Sequence, residues 1–162
     1  MLRKEFIRGI EKIGKRGYTY DILIFHNQLE ATLKFLKSSP EQAFVIDHLA
    51  KPNIKLGIWR EWKKELALIA ERDYVSCKIS GMVTEANWKD WKKEDFQQYM
   101  EIALELFGPK RLMFGSDWPV CLVAGAYEQV FDLVDRFTDT LSPTEKNQIL
   151  GKNAADFYGI KE

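Results

Sequence analysis

The chain has only two histidines, His26 and His48, and each follows a short apolar run of the sequence. Lys51 comes three residues after His48, and another apolar run leads into Asp117 and Trp118. Histidine and carboxylate side chains commonly carry general acid–base chemistry near neutral pH. If the apolar runs are parallel strands, all these groups meet at one edge of a sheet. This coincidence is the strongest functional signal in the sequence.

Each of these side chains also has a structural interpretation. A histidine at a strand end can be an ordinary hydrogen-bonded residue, although Asp47 beside His48 could fix its tautomer. Asp117 could cap the turn that follows it, and Lys51 could be a solvated loop charge. Lys78 lies inside an apolar run, where an inward lysine needs a charge partner. The residues alone leave these alternatives open.

Four short apolar runs alternate with longer helical patterns and are predicted to be β-strands. They are centred on Ile22, Ile46, Ile79 and Phe114, at spacings of 24, 33 and 35 residues. Each spacing holds one crossover helix, which predicts parallel strands with right-handed connections. Near the end of the chain, the segment 142–145 has the pattern of a helix capping box.

Two parallel architectures fit this alternation of strands and helices. A doubly wound open sheet suits 162 residues, but its first strand should lead into a glycine-rich turn, and the sequence has neither GxGxxG nor GxxxxGK[ST]. A (β/α)8 barrel needs eight strands and about 250 residues. As a barrel, this chain is half of one.

Composition narrows the classes of protein. Basic and acidic residues number 24 each, which gives a net charge of zero and argues against nucleic acid as a partner. No apolar run approaches the roughly 20 residues of a membrane span, and the charged amino terminus does not resemble a signal peptide. Two cysteines fit a reducing compartment. We therefore expect a cytoplasmic protein with no membrane partner.

Three segments, FVIDHLAKP, CKISG and RLMFGSDWPV, resemble in order and spacing the amidohydrolase superfamily. The resemblance is to its branch of lactone hydrolases similar to fuconolactonase and pyrone-dicarboxylate lactonase, and it runs through essentially the whole chain. It implies an α/β fold in which the four strands are the fifth to eighth of a TIM-type (β/α)8 barrel. Residues 1–162 are then a single partial amidohydrolase-like domain.

The resemblance implies hydrolysis of a lactone or a related cyclic ester or amide, with a small molecule as substrate. Asp117 matches the general base that activates water, and His48 matches the histidine that polarises the substrate carbonyl or assists a metal. His26, Lys51 and Trp118 are the predicted substrate-binding residues. A divalent metal such as zinc is the cofactor that the family suggests, with His26, His48 and Asp117 as candidate ligands.

The sequence departs from the family in one major respect. The HxH pair of the first barrel strand and the first four strands are absent from these residues. A three- or four-ligand metal site is therefore not expected within this chain. An apolar inner face and two unpaired edges predict self-association or a partner that supplies strands one to four. A non-catalytic half-barrel and an open-sheet binding domain for a small ligand are the alternatives.

Overall fold

A computed structural model describes residues 1–160 of the chain. Four parallel strands form one sheet, and each strand pairs with the next in chain order. The strands are β1 (Tyr20–Ile22), β2 (Phe44–Ile46), β3 (Val75–Ile79) and β4 (Leu112–Phe114). A doubly wound open sheet would reverse its strand order at a switch point, and this sheet does not. The order is that of consecutive strands in a barrel.

One long helix connects each pair of neighbouring strands. The helices are α1 (Lys4–Gly14), α2 (Leu29–Ser38), α3 (Arg60–Ala70), α4 (Glu94–Phe107), α5 (Tyr127–Thr138), α6 (Pro143–Asn147) and α7 (Asn153–Tyr158). A π-helical turn over 148–152 joins α6 to α7. The capping box is confirmed, since Ser142 N donates to Glu145 Oε2 at 3.0 Å and Glu145 N donates to Ser142 Oγ at 3.4 Å. No helix within residues 1–160 is long and apolar enough to cross a membrane.

The two faces of the sheet differ in chemistry. On β3, Val75, Cys77 and Ile79 are fully buried in the hydrophobic core that the helices share. Side chains alternate along a strand, so Ser76 and Lys78 lie on the opposite face, which we call the inner face. Both are only partly buried.

An ion network occupies the inner face. Lys78 Nζ lies 2.5 Å from Asp21 Oδ2 and 2.8 Å from Asp47 Oδ1. The hydroxyl of Tyr158, at the end of α7, donates to Asp21 Oδ2 at 2.7 Å, and its ring centre lies 5.3 Å from Lys78 Nζ. The network therefore joins β1, the end of β2, β3 and the last helix, and it supplies the charge partner that an inward lysine needs.

The expectation of an open apolar inner face is wrong, because this face presents charged side chains. Its apolar residues, Val45 and Met113, are at most 1% exposed. Within residues 1–160, β1 pairs only with β2 and β4 only with β3, so both edges of the sheet are unpaired. Several of the large exposed apolar side chains come shortly after the two edge strands in the chain: Leu23, Phe25, Trp118, Val120 and Leu122.

Candidate active site

The segment after β2 forms a single left-handed turn. His48, Leu49, Ala50 and Lys51 have φ angles between 47° and 57°, a conformation that costs a non-glycine residue roughly 1–2 kcal/mol. Trp62 of α3 supports the turn, because its indole N–H donates to the Leu49 carbonyl at 2.7 Å. Leu49 and Ala50 are completely buried. Tertiary contacts thus stabilise a backbone that local preferences disfavour, and His48 is the first residue of this turn.

The turn brings His48 next to Asp117, which follows β4. The distance from His48 Nε2 to Asp117 Oδ1 is 3.7 Å, and the side chains are 17% and 13% exposed. Asp117 also has a positive φ, 56°. The separation is too long for a direct hydrogen bond, yet both atoms can contact one oxygen atom at about 2.8 Å. The pair can therefore act together on a single water molecule or carbonyl oxygen.

The end of β3 holds the other side of the imidazole ring. Ser80 Oγ lies 2.8 Å from His48 Nδ1, and Ser80 is 2% exposed. Gly81 has a φ of +59° and lies so close that a Cβ there would be 2.7 Å from His48 Nδ1. Only glycine combines that conformation with that approach. The end of β3 therefore fixes the ring of His48 both by a hydrogen bond and by close packing.

The environment sets the charge of the two basic groups in opposite ways. Burial lowers the pKa of His48 below its ordinary value, although Asp117 and Asp47 act in the other direction. Burial also acts to lower the pKa of Lys78, but its hydrogen bonds to Asp21 and Asp47 outweigh that effect and raise it. His48 is thus a neutral imidazole at pH 7, with one donor and one acceptor nitrogen, and Lys78 stays a cation.

The three predicted substrate-binding residues lie in different surroundings. His26 lines a cleft of about 600 Å³, and its Nδ1 lies 2.9 Å from the Lys51 carbonyl oxygen. Lys51 Nζ lies 3.6 Å from Glu85 Oε1 and 5.1 Å from the ring centre of Phe25. Trp118 is 63% exposed. A contact thus connects His26 with Lys51, and the binding roles of all three stay predictions.

The candidate metal ligands do not form one ligand set. Across residues 1–160, no group of three or more His, Cys, Asp and Glu side chains could hold a metal ion. Zinc in proteins has at least three protein ligands, whereas the convergent pair of His48 and Asp117 supplies two. The chain's own residues therefore do not fit a complete zinc site.

Two sets of contacts were missed by the sequence analysis. The hydrogen bond between Ser80 and His48 had no signal beyond the position of Ser80 at a strand end. The pairing of Asp21 with Lys78 could have been found, because strand alternation and register put Asp21 on the same face as Ser76. Tyr158 lies 137 residues from Asp21 in sequence, so nothing local indicated their contact.

The sequence and the structure of the chain are both similar to those of known amidohydrolases. The amidohydrolase family model matches residues 2–160. The chain is 37% identical over 171 aligned positions to L-fucono-1,5-lactonase of Burkholderia multivorans, which covers 98% of this chain and 57% of that protein. A crystal structure of a B. multivorans amidohydrolase with bound zinc is 36% identical, with a TM-score of 0.95 over 98% of this chain and 58% of that one. Amidohydrolase 2 from Bifidobacterium longum subsp. infantis is 25% identical, with a TM-score of 0.77 over 99% of this chain and 57% of that chain.

These matches define what part of a fold the chain represents. It spans about 57% of the length of the curated relative described above. Four parallel strands in chain order, superposable on that share of a longer amidohydrolase, confirm the prediction of a half of a (β/α)8 barrel. The family model extends over nearly all of the sequence, and the chain belongs to the amidohydrolase family.

Proposed function

We propose that the protein containing this chain hydrolyses a lactone, and that His48 and Asp117 perform the reaction. The observation that carries the proposal is the 3.7 Å separation of His48 Nε2 and Asp117 Oδ1 at the carboxyl ends of β2 and β4. At one place, a largely buried carboxylate can take a proton and a neutral imidazole beside it can donate a hydrogen bond. The relative named L-fucono-1,5-lactonase makes a sugar lactone the substrate to test first.

The reaction divides between the two side chains. Asp117 takes a proton from water as the water oxygen forms a bond to the lactone carbonyl carbon. His48 donates a hydrogen bond from Nε2 to the carbonyl oxygen, which gains negative charge as the tetrahedral intermediate forms. The intermediate then expels the ring oxygen, the proton on Asp117 passes to this leaving alkoxide, and the product is a hydroxy acid.

We infer that a complementary chain segment with four further strands completes the barrel. Three observations support this inference: β1 and β4 each have an unpaired edge in the described part of the chain, large apolar side chains are exposed in the segments that follow these two strands, and the chain spans about 57% of its relative. Exposed parallel edges pair readily with other strands. The inferred partner therefore supplies strands rather than a separate activity.

The two proposals are tested in one reconstitution. The chain is produced alone and together with the part of the B. multivorans lactonase that it does not match, and acid release from L-fucono-1,5-lactone is followed above the spontaneous rate. We expect a complex with one copy of each half in sedimentation, and hydrolysis only by that complex. A chain that pairs with itself and ignores the added half would contradict the inferred partner.

Substitutions separate the catalytic pair from general effects on folding. Asp117→Asn should lower the rate of the complex by about 10²–10⁴-fold, the usual contribution of a general base. Asp90→Asn is the matched control, because Asp90 is exposed and, within residues 1–160, its side chain hydrogen-bonds only with Asn87. Activity that survives in Asp117→Asn would refute the assignment of the base.

A further inference from the structure

We propose that Ser80 is a positioning residue that holds neutral His48 with its ring proton on Nε2. Ser80 Oγ lies 2.8 Å from His48 Nδ1, and Ser80 is 2% exposed. Within residues 1–160 this is the only hydrogen-bond partner of the Ser80 hydroxyl. The position of the proton in this bond decides whether Nε2, the nitrogen that faces Asp117, is a donor or an acceptor.

Counting donors and acceptors assigns that proton. If His48 donated from Nδ1, the Ser80 hydroxyl would act as acceptor, and its own buried proton would have no acceptor among the described residues. Buried polar groups left without a partner are strongly disfavoured. If instead Ser80 donates to Nδ1, both groups are satisfied, and the proton of the neutral ring must be on Nε2.

The packing around Ser80 keeps its hydroxyl in place. Gly115 of the next strand end faces it without a side chain, and a Cβ at Gly115 would lie 3.0 Å from Ser80 Cβ. On the other side Gly81 lies against the imidazole ring, with a φ of +59°. The serine is thus packed closely against Gly115, and its hydroxyl lies against His48.

His26 provides an internal contrast. Its Nδ1 lies 2.9 Å from the carbonyl oxygen of Lys51. A carbonyl can only accept a hydrogen bond, so neutral His26 must donate from Nδ1. The only two histidines of the chain are therefore expected in opposite tautomers, one set by a hydroxyl and the other by a carbonyl.

This assignment rests on the proposed function for its purpose, since a donor on Nε2 is what a developing oxyanion on the lactone requires. A proton on Nδ1 would leave Nε2 as an acceptor, which repels such an oxyanion. The tautomer itself can be measured without turnover, so the two proposals can fail independently.

The test is nitrogen NMR of the full chain labelled with ¹⁵N-histidine, recorded at neutral pH by magic-angle spinning so that the size of any assembly does not matter. Protonated and unprotonated ring nitrogens give well-separated resonances, and His26→Gln assigns the two rings. We expect His26 to be protonated on Nδ1 and His48 on Nε2. A wild-type spectrum with His48 protonated on Nδ1 would overturn the proposal, whatever the variants do.

Substitutions then test the cause. Ser80→Ala should convert the His48 signals to a mixture of tautomers or to the opposite one, whereas Ser80→Thr, which keeps the hydroxyl, should preserve them. Ser76→Ala is the matched control, because Ser76 lies in the strand that leads to Ser80 and, in the described part of the chain, its side chain makes no hydrogen bond with a histidine. An unchanged His48 spectrum in Ser80→Ala would show that the serine does not set the tautomer.

Kinetics of the reconstituted complex give a second measurement. Ser80→Ala should lower kcat by about 10-fold or more with little change in KM, because the hydrogen bond to the oxyanion is strongest in the transition state, and Ser80→Thr should restore much of the rate. A loss confined to KM would contradict a positioning role. An Nε2-protonated His48 in a complex without lactonase activity would refute the proposed function and leave the tautomer assignment standing.

Discussion

Replacing Gly81 with alanine is expected to displace His48, because the new methyl group has no room beside the imidazole ring. A Cβ built on Gly81 lies 2.7 Å from Nδ1, 2.8 Å from Cγ and 2.9 Å from Cβ of His48. These atoms are close to the backbone of His48, so a small side-chain rotation cannot relieve the contact. The backbone of His48 is itself held in the left-handed turn. The perturbation therefore acts directly on the position of the ring.

The magnitude follows from two separate costs. Alanine at a φ of +59° costs about 1 kcal/mol in backbone strain, and an overpacked methyl group adds about 1–3 kcal/mol. Gly57→Ala is the matched control, because Gly57 has a φ of +64° and a Cβ there meets no atom within 4 Å. The expected loss in the free energy of unfolding is thus about 1 kcal/mol at Gly57 and about 2–4 kcal/mol at Gly81.

Urea unfolding followed by tryptophan fluorescence measures both losses, and the difference between the two variants isolates the contact with His48. Alanine at Gly81 should also shift the histidine ring resonances, whereas alanine at Gly57 should leave them in place. Equal destabilisation by the two substitutions, with unchanged resonances in both, would refute the conclusion that the end of β3 presses on the ring of His48.

Three further predictions concern the surroundings of this ring. Lys78→Met should lower the free energy of unfolding by about 2 kcal/mol, because it leaves Asp47 and the more exposed Asp21 without their cation; the loss is smaller than for a fully buried ion pair. Denaturant titration measures this loss, and no loss would mean that the ion network does not stabilise the fold. Trp62→Phe should cost about 1–3 kcal/mol by leaving the buried Leu49 carbonyl without its donor, measured in the same way, and a loss below about 0.5 kcal/mol would contradict the support assigned to the indole. Because burial lowers the pKa of His48, the folded state binds fewer protons than the unfolded state just below pH 6.5. The contribution of His48 to stability is therefore complete above that pH and decreases as the pH falls through the folded pKa, by at most about 1.4 kcal/mol per pH unit. His48→Gln should flatten this part of the plot of stability against pH, and a slope that persists in the variant would belong to another group.

The strands and their direction could be predicted from the sequence because their signals are local. Runs such as 44–46 and 112–114 are apolar, short and separated by lengths that hold one helix, and these properties leave a parallel sheet as the simplest arrangement. The histidine and the aspartate then follow from a rule of topology, since the carboxyl ends of parallel strands share one edge. No contact between distant residues had to be known for either inference.

The left-handed turn after β2 could not be predicted from the local sequence. None of its four residues is glycine or asparagine, the residue types that usually adopt such a backbone, and no other feature of DHLAK predicts it. Its stability comes from the burial of Leu49 and Ala50 and from a hydrogen bond to Trp62, which lies in the following helix. A conformation that depends on tertiary contacts leaves little trace in local composition.

The residues of the candidate site come from three neighbouring strand ends of this chain. The imidazole comes from the end of β2, its hydroxyl partner from the end of β3, and the carboxylate from the end of β4, so three consecutive strands carry the proposed catalytic pair and the residue proposed to position it. Their geometry needs neighbouring strands only, and all of these lie within the half-barrel. A zinc site needs at least three protein ligands, and the described residues bring no such group together. The proposed proton transfer thus uses Asp117 and His48 of this chain, whereas further ligands or pocket walls would come from the inferred complementary segment.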